Sequence, residues 1–173
     1  HVGFSSHDSA ENIVRLIETG EFEGVLLQYN FLDDHNIPAI SAAKKQGMGV
    51  TIMGPVAGGR LGVPGSVAVP GEGIEDLRLP DLALRHVWGT DGVTVALSGM
   101  NEMDQIEENV ASAENTSAMG EAEAAQIDAI LEKNRALTEL YCTACGYCMP
   151  CPNGVNIPEN FRYMTWHKVW GLE

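Results

Sequence analysis

Short apolar runs alternate with helical patterns along the first two thirds of the chain, and this alternation constrains the fold most. The runs that predict strands are residues 2–6, 24–28, 49–53 and 94–97. Segments with the apolar spacing of helices separate them, so the predicted order is β-α-β-α-β-α-β-α. Strands that alternate with helices form a parallel sheet with right-handed crossovers. The sequence therefore predicts an α/β fold.

Capping residues and apolar spacing predict the helices. Asp8 is a candidate N-cap with Glu11 three residues later, and Pro80 suits the first turn of a helix. Further helices are predicted over residues 37–47, over residues 103–115, over about 121–140, and from near Pro158 onward.

Two architectures fit this order. One is a small doubly wound sheet, and the other is half of a (β/α)8 barrel, which needs about 250 residues in full. In both, ligand-binding groups gather at the carboxyl ends of the strands. A long glycine- and proline-rich segment over residues 54–80 follows the third strand, and loops of that length are usually functional. No GxGxxG motif follows a predicted strand, so a Rossmann fingerprint is absent.

Charge and hydropathy exclude several classes of protein. The chain has 24 acidic and 10 basic residues and a net charge of −14, which argues against general affinity for nucleic acid. Its apolar runs are too short to span a bilayer, and no basic leader opens it. We therefore expect a cytoplasmic protein without a membrane partner. The chain starts at His1 and ends within an apparent helix, so we expect a fragment of a longer protein.

All cysteines lie in one stretch, YCTACGYCMPCP, at Cys142, Cys145, Cys148 and Cys151. A disulfide scaffold would spread them to close long loops. Zinc sites usually pair two CxxC knuckles across a longer gap. Three successive CxxC steps followed by Pro152 come close to the ferredoxin ligand run, whose last gap is one residue longer. The spacing favours a [4Fe–4S] cluster, with zinc as the alternative.

Several strand-end and loop motifs, read together, resemble a known family. VGFSSH, LLQYN, MGPVAGGRL, LSGM and QIEEN occur in the order found in the second half of the aldo/keto reductases. The cysteine stretch with GVNIPENF resembles the iron–sulfur extension of one branch of that family. The resemblance implies that residues 1–115 form four βα units of a (β/α)8 TIM barrel. Residues 116–140 would form a linker and an amphipathic helix, and residues 141–173 a small helical ferredoxin-like 4Fe–4S module.

The resemblance also implies a site for NADP or NAD at the carboxyl ends of the strands. Contacts with the nicotinamide end are implied for Ser5, Ser6, Gln28 and Met53. Contacts near the pyrophosphate are implied for Gly58, Gly59 and Arg60. Contacts with the adenosine end are implied for Ser98, Gly99, Gln105, Glu108 and Asn109. Gln105 stands where many members have an arginine, so a preference for NADP is not implied.

The implied function is that of an oxidoreductase that moves hydride between the nicotinamide and a small carbonyl or alcohol substrate. The family's catalytic tetrad belongs to the first half of the barrel, so no catalytic residue is assigned here and the chain alone is expected to be inactive. Cys151 could serve this cluster or a second one. The alternative is a non-enzymatic iron–sulfur electron-transfer or scaffold protein on a barrel-like carrier, which would act with a redox partner protein.

Plainer interpretations remain open for several residues. Ser5, Ser6, Gln28 and Asn30 could simply cap strand ends. His7 is expected to line or cap the loop after the first strand. Asp33, Asp34 and His35 are interpreted as a solvated loop rather than a metal site. The aromatic residues of the last helix are expected to pack the cluster module. They are Phe161, Tyr163, Trp166 and Trp170.

Overall fold

A computed structural model of the chain describes residues 1–62, 78–115, 119–133, 142 and 146–170. It contains one four-stranded sheet, formed by β1 (Gly3–Ser6), β2 (Gly24–Gln28), β3 (Gly49–Met53) and β4 (Val95–Ala96). The strands lie side by side in chain order, and all three pairs are parallel. The predicted parallel sheet is confirmed. Its order excludes the doubly wound alternative, in which the strands are reordered.

The helices follow the predicted pattern, and a short 3₁₀ helix, Ala57–Gly62, follows β3. The α-helices are α1 (Ala10–Ile17), α2 (Ile37–Lys45), α3 (Leu79–Gly89), α4 (Met103–Glu114), α5 (Glu121–Lys133) and α6 (Ile157–Trp170). Residues 134–140 of the helix predicted up to residue 140, and most of the glycine-rich segment (63–77), lie outside the described residues.

Several predicted boundaries were wrong; α2, for example, ends at Lys45 rather than at residue 47. β1 begins at Gly3 rather than at residue 2, and β4 is shorter than residues 94–97. Thr94 and Leu97 still donate their N–H groups to β3 carbonyls, over 2.8 Å in both cases. The N-cap of α1 is Ser9 rather than Asp8, because the Ser9 hydroxyl accepts from the N–H of Asn12. Asp8 instead accepts from the N–H of Ser9 over 2.7 Å.

One face of the sheet forms the main apolar core. Alternate residues of the two central strands are buried there, against side chains of α1, α2 and α3. The buried strand residues are Val25, Leu27, Val50 and Ile52, and their helix partners include Ile13, Ile17, Ile40 and Val87. Because the register aligns Leu27 with Ile52, these helices cover the same face. The other face is more open, with Ser5 and Val95 exposed. Strands in chain order with helices on one face are the arrangement of a barrel segment.

A second apolar cluster lies at the carboxyl ends of β2 and β3. Its members come from the loop after β2, the 3₁₀ helix, α3 and α5: Phe31, Leu32, Ala57, Leu61, Leu82, Ala83, Ile127 and Ile130. Arg85 of α3, whose side chain is only 10% exposed, binds the carboxylates of Asp81 and Glu123. Together these contacts fix α5 beside the loops that follow the strands. No helix of the described residues is both long and apolar enough to cross a membrane.

Candidate functional site

Gln28, at the end of β2, lies against the glycine that follows β3. A Cβ atom at Gly54 would lie 2.6 Å from Nε2 and 2.7 Å from Oε1 of Gln28, closer than real Cβ atoms come. Gly54 also has a φ of 64°, which side chains rarely adopt. Gln28 is 4% exposed. Gly54 therefore leaves the space that the Gln28 amide occupies.

Two buried asparagines brace the same strand ends. Asn30 donates to the carbonyl of Gly54 over 2.9 Å and accepts from the N–H of Leu32 over 2.9 Å. Asn36 donates to the carbonyl of Gln28 over 2.9 Å, whereas its Oδ1 is buried without a partner. Asn30 was interpreted only as a strand cap, and Asn36 gave no signal in the sequence. Both fix the backbone that carries Gln28 and Gly54.

The remaining residues predicted for the nicotinamide end lie on the ends of β1 and β3. Ser5 is exposed, and the hydroxyl of Ser6 accepts from the N–H of Asp8 over 3.0 Å. Met53 is half-buried and stands opposite Gln28 in the register of the sheet. The parallel strands thus bring Ser5, Ser6, Gln28 and Met53 to one edge of the sheet. Their contact with a nicotinamide ring stays a prediction.

A cavity of about 300 Å³ lies beside the carboxyl end of the sheet, near β4. Six residues predicted for the pyrophosphate and adenosine end line it: Gly59, Ser98, Gly99, Gln105, Glu108 and Asn109. The wall is completed by the residues Val56, Gly62, Pro80, Met100 and Asn101. Gly59 has a φ of 90°, and a Cβ at Gly59 or Gly99 would meet no atom within 4 Å. Backbone amides near these glycines are therefore open to close approach by a ligand.

Most polar side chains of this cavity already have partners. Asn109 donates to the hydroxyl of Ser98 over 3.1 Å. Gln105 accepts from the N–H groups of Asn101 and Glu102, over 2.9 and 3.4 Å, and so closes a capping box at the start of α4. Gln105 therefore caps a helix, a role that the resemblance did not imply.

The only ionisable side chain among the described lining residues, Glu108, pairs with a cation from another element. Its Oε2 lies 3.2 Å from Nη2 of Arg78, the residue that precedes α3. Both side chains are about half exposed, at 51% and 49%. The sequence gave no sign of this pair, because its members are far apart along the chain.

Two contacts join the cysteine segment to the loops at the same edge. The ring of Tyr147 meets the ring of His7, with centroids 5.0 Å apart at 80°. Nη2 of Arg60, in the 3₁₀ helix, lies 3.5 Å from the carbonyl oxygen of Cys142. His7 thus packs against the cysteine segment, and its expected role of lining or capping its loop stays a prediction. Gly58, two residues before Arg60 in the chain, has a φ of 64°, and a Cβ atom there would meet no atom within 4 Å.

The thiols of Cys142, Cys148 and Cys151 are free, and Cys148 is exposed. Cys145 lies outside the described residues. Within the described part of the chain, no group of three or more metal-binding side chains is assembled. Thiolate is the donor that an iron–sulfur cluster requires, so the chemistry of the set fits such a cluster, while the gathering of the four sulfurs stays a prediction.

Two of the aromatic residues expected to pack the cysteine module are partly exposed. Phe161 is 38% exposed and Tyr163 is 53% exposed. The side chains of Trp166 and Trp170 lie outside the described part. Neither described ring is fully buried, and the packing of the module by these aromatic residues stays a prediction.

The acidic loop after β2 does not assemble a metal site in the described residues. Asp34 and His35 are exposed, as a solvated loop predicts. Asp33 differs, since its side chain is only 10% exposed and pairs with His35. Its backbone forms a bridge with Asn30, which explains the burial.

A cluster of partly buried polar side chains beyond the end of β2 was not predicted from the sequence. The hydroxyl of Tyr29 lies 3.0 Å from Nε2 of His86 and 2.9 Å from the hydroxyl of Thr90. Burial lowers the pKa of His86 and raises the pKa of Tyr29. These hydrogen bonds tie the end of β2 to the end of α3.

Two solved structures share this fold. The chain is 22% identical to aldo-keto reductase AKR11C1 from Bacillus halodurans, in its holo form, over 73% of this chain and 48% of that one, with a TM-score of 0.58. The apo form gives a TM-score of 0.55 at the same identity, over 72% and 48%. Neither the protein-family models nor the curated proteins searched gave a match. The chain spans about half the length of that reductase, and its parallel βα units have the fold of part of an aldo-keto reductase barrel.

Proposed function

We propose that this chain supplies the cofactor-binding half of an aldo/keto reductase-like oxidoreductase, with an iron–sulfur module attached. The substrate would be a small carbonyl compound or alcohol. The chain's own residues would bind and orient a nicotinamide dinucleotide, which supplies or accepts hydride when bound. The proton-transferring tetrad of the family corresponds to no residue of this chain.

The observation that carries this proposal is the 300 Å³ cavity at the carboxyl edge of the sheet. Six residues that the family resemblance implied for the cofactor line this one cavity, although they come from the 3₁₀ helix, the end of β4 and α4. Ligand sites in barrels lie at this edge. The glycine-lined wall supports approach by a phosphate group, which backbone N–H groups bind well.

Contact with the nicotinamide end of the cofactor is supported by the Gln28 amide, which lies at the end of β2 and outside the lining of the cavity. A primary amide offers one acceptor and two donor hydrogens, which complement the carboxamide of nicotinamide. Gly54 leaves room for that amide, and Asn30 holds the Gly54 carbonyl. These contacts would fix the orientation of the ring, and orientation is a large part of what an enzyme contributes to a transfer between two bound groups.

The iron–sulfur part of the proposal is supported by the lack of a core in the cysteine module. Among the described side chains of residues 142 and 146–170, none is buried. Modules of this size usually need a metal or disulfides to fold. The thiolates of Cys142, Cys145, Cys148 and Cys151 would hold a [4Fe–4S] cluster, which would stabilise the module or carry single electrons. A zinc ion on the same thiolates is the alternative.

Ligand-observed NMR with NADH tests the cavity. We expect saturation transfer to the adenine protons, and Gly99→Val should weaken binding about tenfold, which corresponds to a loss of about 1.4 kcal/mol of contact. Gly89→Val is the matched control, because a Cβ at either glycine meets no atom within 4 Å but Gly89 lies outside the cavity. Absence of any NADH binding, or equal effects of both variants, would overturn the proposal.

A second glycine pair tests the nicotinamide end. Gly54→Ala should displace the Gln28 amide and weaken NADH binding. Gly47→Ala carries similar backbone strain, with a φ of 70° against 64°, but meets no atom within 4 Å. Equal NADH affinities in the two variants would show that Gln28 does not position the ring.

A measurement of reductase activity tests whether the family's proton-transferring groups lie outside this chain. We expect no steady NADH or NADPH oxidation by this chain alone with a simple aldehyde, because positioned acid–base groups are worth about 10²–10⁴ in rate. Turnover that Gln28→Ala abolishes would place a complete active site within these residues, contrary to the proposal.

A further inference from the structure

Two contacts tie the cysteine segment to loops that carry predicted cofactor residues. The ring of Tyr147 meets the ring of His7 edge to face, with 5.0 Å between the centroids, and His7 directly follows Ser6, the last residue of β1. The second contact joins Nη2 of Arg60 to the carbonyl oxygen of Cys142 over 3.5 Å. Arg60 lies in the 3₁₀ helix after β3, so one short segment contacts the loops that follow two different strands.

These two loops flank the residues predicted for the nicotinamide end. Both β1 and β3 pair with β2, so the loops after them stand on either side of Gln28 at the end of β2. Neighbouring strands lie about 4.8 Å apart, and five residues of extended chain span up to about 17 Å. Cys142 and Tyr147 are five positions apart in the sequence, a separation long enough to link the two loops.

A local hydrogen bond closes the turn that carries Tyr147. The N–H of Met149 donates to the carbonyl of Gly146 over 2.8 Å, and Gly146 has a φ of 78°, which glycine adopts readily. The turn also carries Cys148, whose free thiol is exposed. Since no described side chain of residues 142 and 146–170 is buried, metal–thiolate bonds are the interaction that would position this turn.

We propose that the cysteine segment forms part of the dinucleotide site: with its thiolates bound to metal, it holds the loops after β1 and β3 in the positions that receive the cofactor. This inference rests on both parts of the proposed function. Because the same contacts connect the two sites, metal loading and dinucleotide binding strengthen each other to the same extent. In this arrangement His7 and Tyr147 are positioning residues, which act on the cofactor only through the loop after β1.

Arg60 links the two sites most directly. A guanidinium has five N–H donors, so a side chain that donates to the Cys142 carbonyl can also donate to a phosphate oxygen. The carbonyl contact fixes the direction of a long side chain, which lowers the rotamer entropy that ligand binding must remove. Ser98 and Asn109, at the adenosine end, bind each other instead, so we expect that end to be indifferent to the module.

The experiment measures dissociation constants of NADH and AMP for the full chain, purified anaerobically with its metal and again after removal of the metal by a chelator. Metal removal should weaken NADH binding about fivefold, at the lower end of the usual coupling between two sites. AMP lacks the nicotinamide end and should bind equally to both forms. In return, saturating NADH should raise the chelator concentration that removes half of the metal about fivefold.

A variant tests the ring contact without removing a metal ligand. Tyr147→Ala should keep the metal and weaken NADH binding about threefold, in line with the modest worth of an exposed ring pair. Tyr163→Ala is the matched control, because Tyr163 is a half-exposed tyrosine of the same module whose ring centroid lies 5.8 Å from the guanidinium of Arg162. It should leave NADH affinity unchanged. In the chelated protein, Tyr147→Ala should have no further effect.

Weaker NADH binding without metal, unchanged AMP binding and a selective effect of Tyr147→Ala would support the inference. Equal NADH affinity in the loaded and chelated protein would overturn it, as would equal effects of the two tyrosine variants. A parallel loss of AMP binding would also overturn it, because that loss would show general unfolding rather than misplaced loops. Failure of NADH to bind in any form would overturn the proposed function of the cavity, and purified protein without metal would overturn its iron–sulfur part. Either of these two results also overturns the inference, which depends on both parts.

Discussion

The central strands bury Leu27, Val50 and Ile52 completely, whereas no described side chain of residues 142 and 146–170 is buried. Large apolar residues of the cysteine module face solvent, including Tyr147 at 71% and Met164 at 46% exposed. The two regions must therefore obtain their folding free energy differently. The barrel segment relies on apolar burial, and the module is expected to rely on metal–thiolate bonds, which couple folding to metal binding.

The two regions meet at the carboxyl edge of the sheet. Arg60 and His7, from loops that follow β3 and β1, touch Cys142 and Tyr147 of the module. Both loops also carry residues that are predicted to contact the cofactor. A structural change in the module can therefore shift those residues. We expect the stability of the barrel segment and the stability of the cysteine module to be as independent as their burial indicates.

Removal of a thiolate should have the largest effect. Cys142→Ser or Cys145→Ser should bleach the anaerobically purified protein, removing a broad absorbance near roughly 400 nm, since a hydroxyl is a poor ligand for iron. Hydrogen exchange should then become fast in α6 but remain slow in β2 and β3.

Met149→Ser is the control for this loss of colour. Met149 is an exposed sulfur-containing residue beside Cys148 in the same turn, but a thioether is not a cluster thiolate. A colourless wild-type protein with one bound zinc would contradict the cluster, and slow exchange in α6 after metal removal would contradict metal-dependent folding.

Truncation of a buried side chain in the sheet should destabilise the barrel segment. Ile52 is 0% exposed in the main core, so Ile52→Ala should lower the free energy of unfolding by about 2–5 kcal/mol. Val95→Ala, at a side chain that is 44% exposed on β4, should change it by less than about 0.5 kcal/mol. Urea unfolding followed by circular dichroism measures both, and similar losses would show that the assumed core is not where the stability lies.

The same contrast explains what could be predicted from the sequence. Alternating strands and helices have local signatures, so the parallel order and most element ranges were predicted. Six residues that the family resemblance implied for the cofactor line one cavity, whereas their contact with a cofactor stays a prediction. The cap formed by Glu102 and Gln105 was missed, since the usual signature has Ser or Thr at the N-cap.

Contacts between distant segments could not be predicted in this way. Arg78 and Glu108, or Tyr29 and His86, come together only through packing of helices whose rotation the sequence does not specify. The exposure of Phe161 and Tyr163 was missed for the converse reason. Aromatic residues are usually buried, but burial requires a partner surface, and no described side chain of residues 142 and 146–170 is buried.

The attachment of α5 should depend on acidity. Hydrogen bonds from Arg85 lower the pKa of Glu123 from 4.5 to about 2. A carboxyl group with a lowered pKa stabilises the fold above its unfolded pKa and loses that contribution as it is protonated. Stability should thus fall as the pH drops from about 4.5 towards 2.

A variant separates this contribution from general acid unfolding. Glu123→Gln should cost about 1 kcal/mol at pH 7 and should flatten the pH dependence between pH 4.5 and 2. Glu121→Gln, an exposed residue in the first turn of the same helix, should leave both unchanged. Urea titrations at several pH values would reveal the difference, and an unaltered slope in Glu123→Gln would refute the assignment.

The contact between Tyr147 and His7 should have the smallest effect, and it tests the comparison most directly. An edge-to-face aromatic pair is worth about 0.5–1.5 kcal/mol, and the exposure of Tyr147 places this pair at the lower end. A double-mutant cycle with His7→Ala and Tyr147→Ala should give a coupling of about 0.5 kcal/mol in the metal-loaded protein. If the module folds only around its metal, Tyr147 has no fixed position after chelation, and the coupling should vanish. Tyr163→Ala, on the exposed face of α6, should show no coupling with His7→Ala in either state. A coupling that persists without metal would mean that the turn holding Tyr147 is ordered by the protein alone, and the two regions would then share one source of stability.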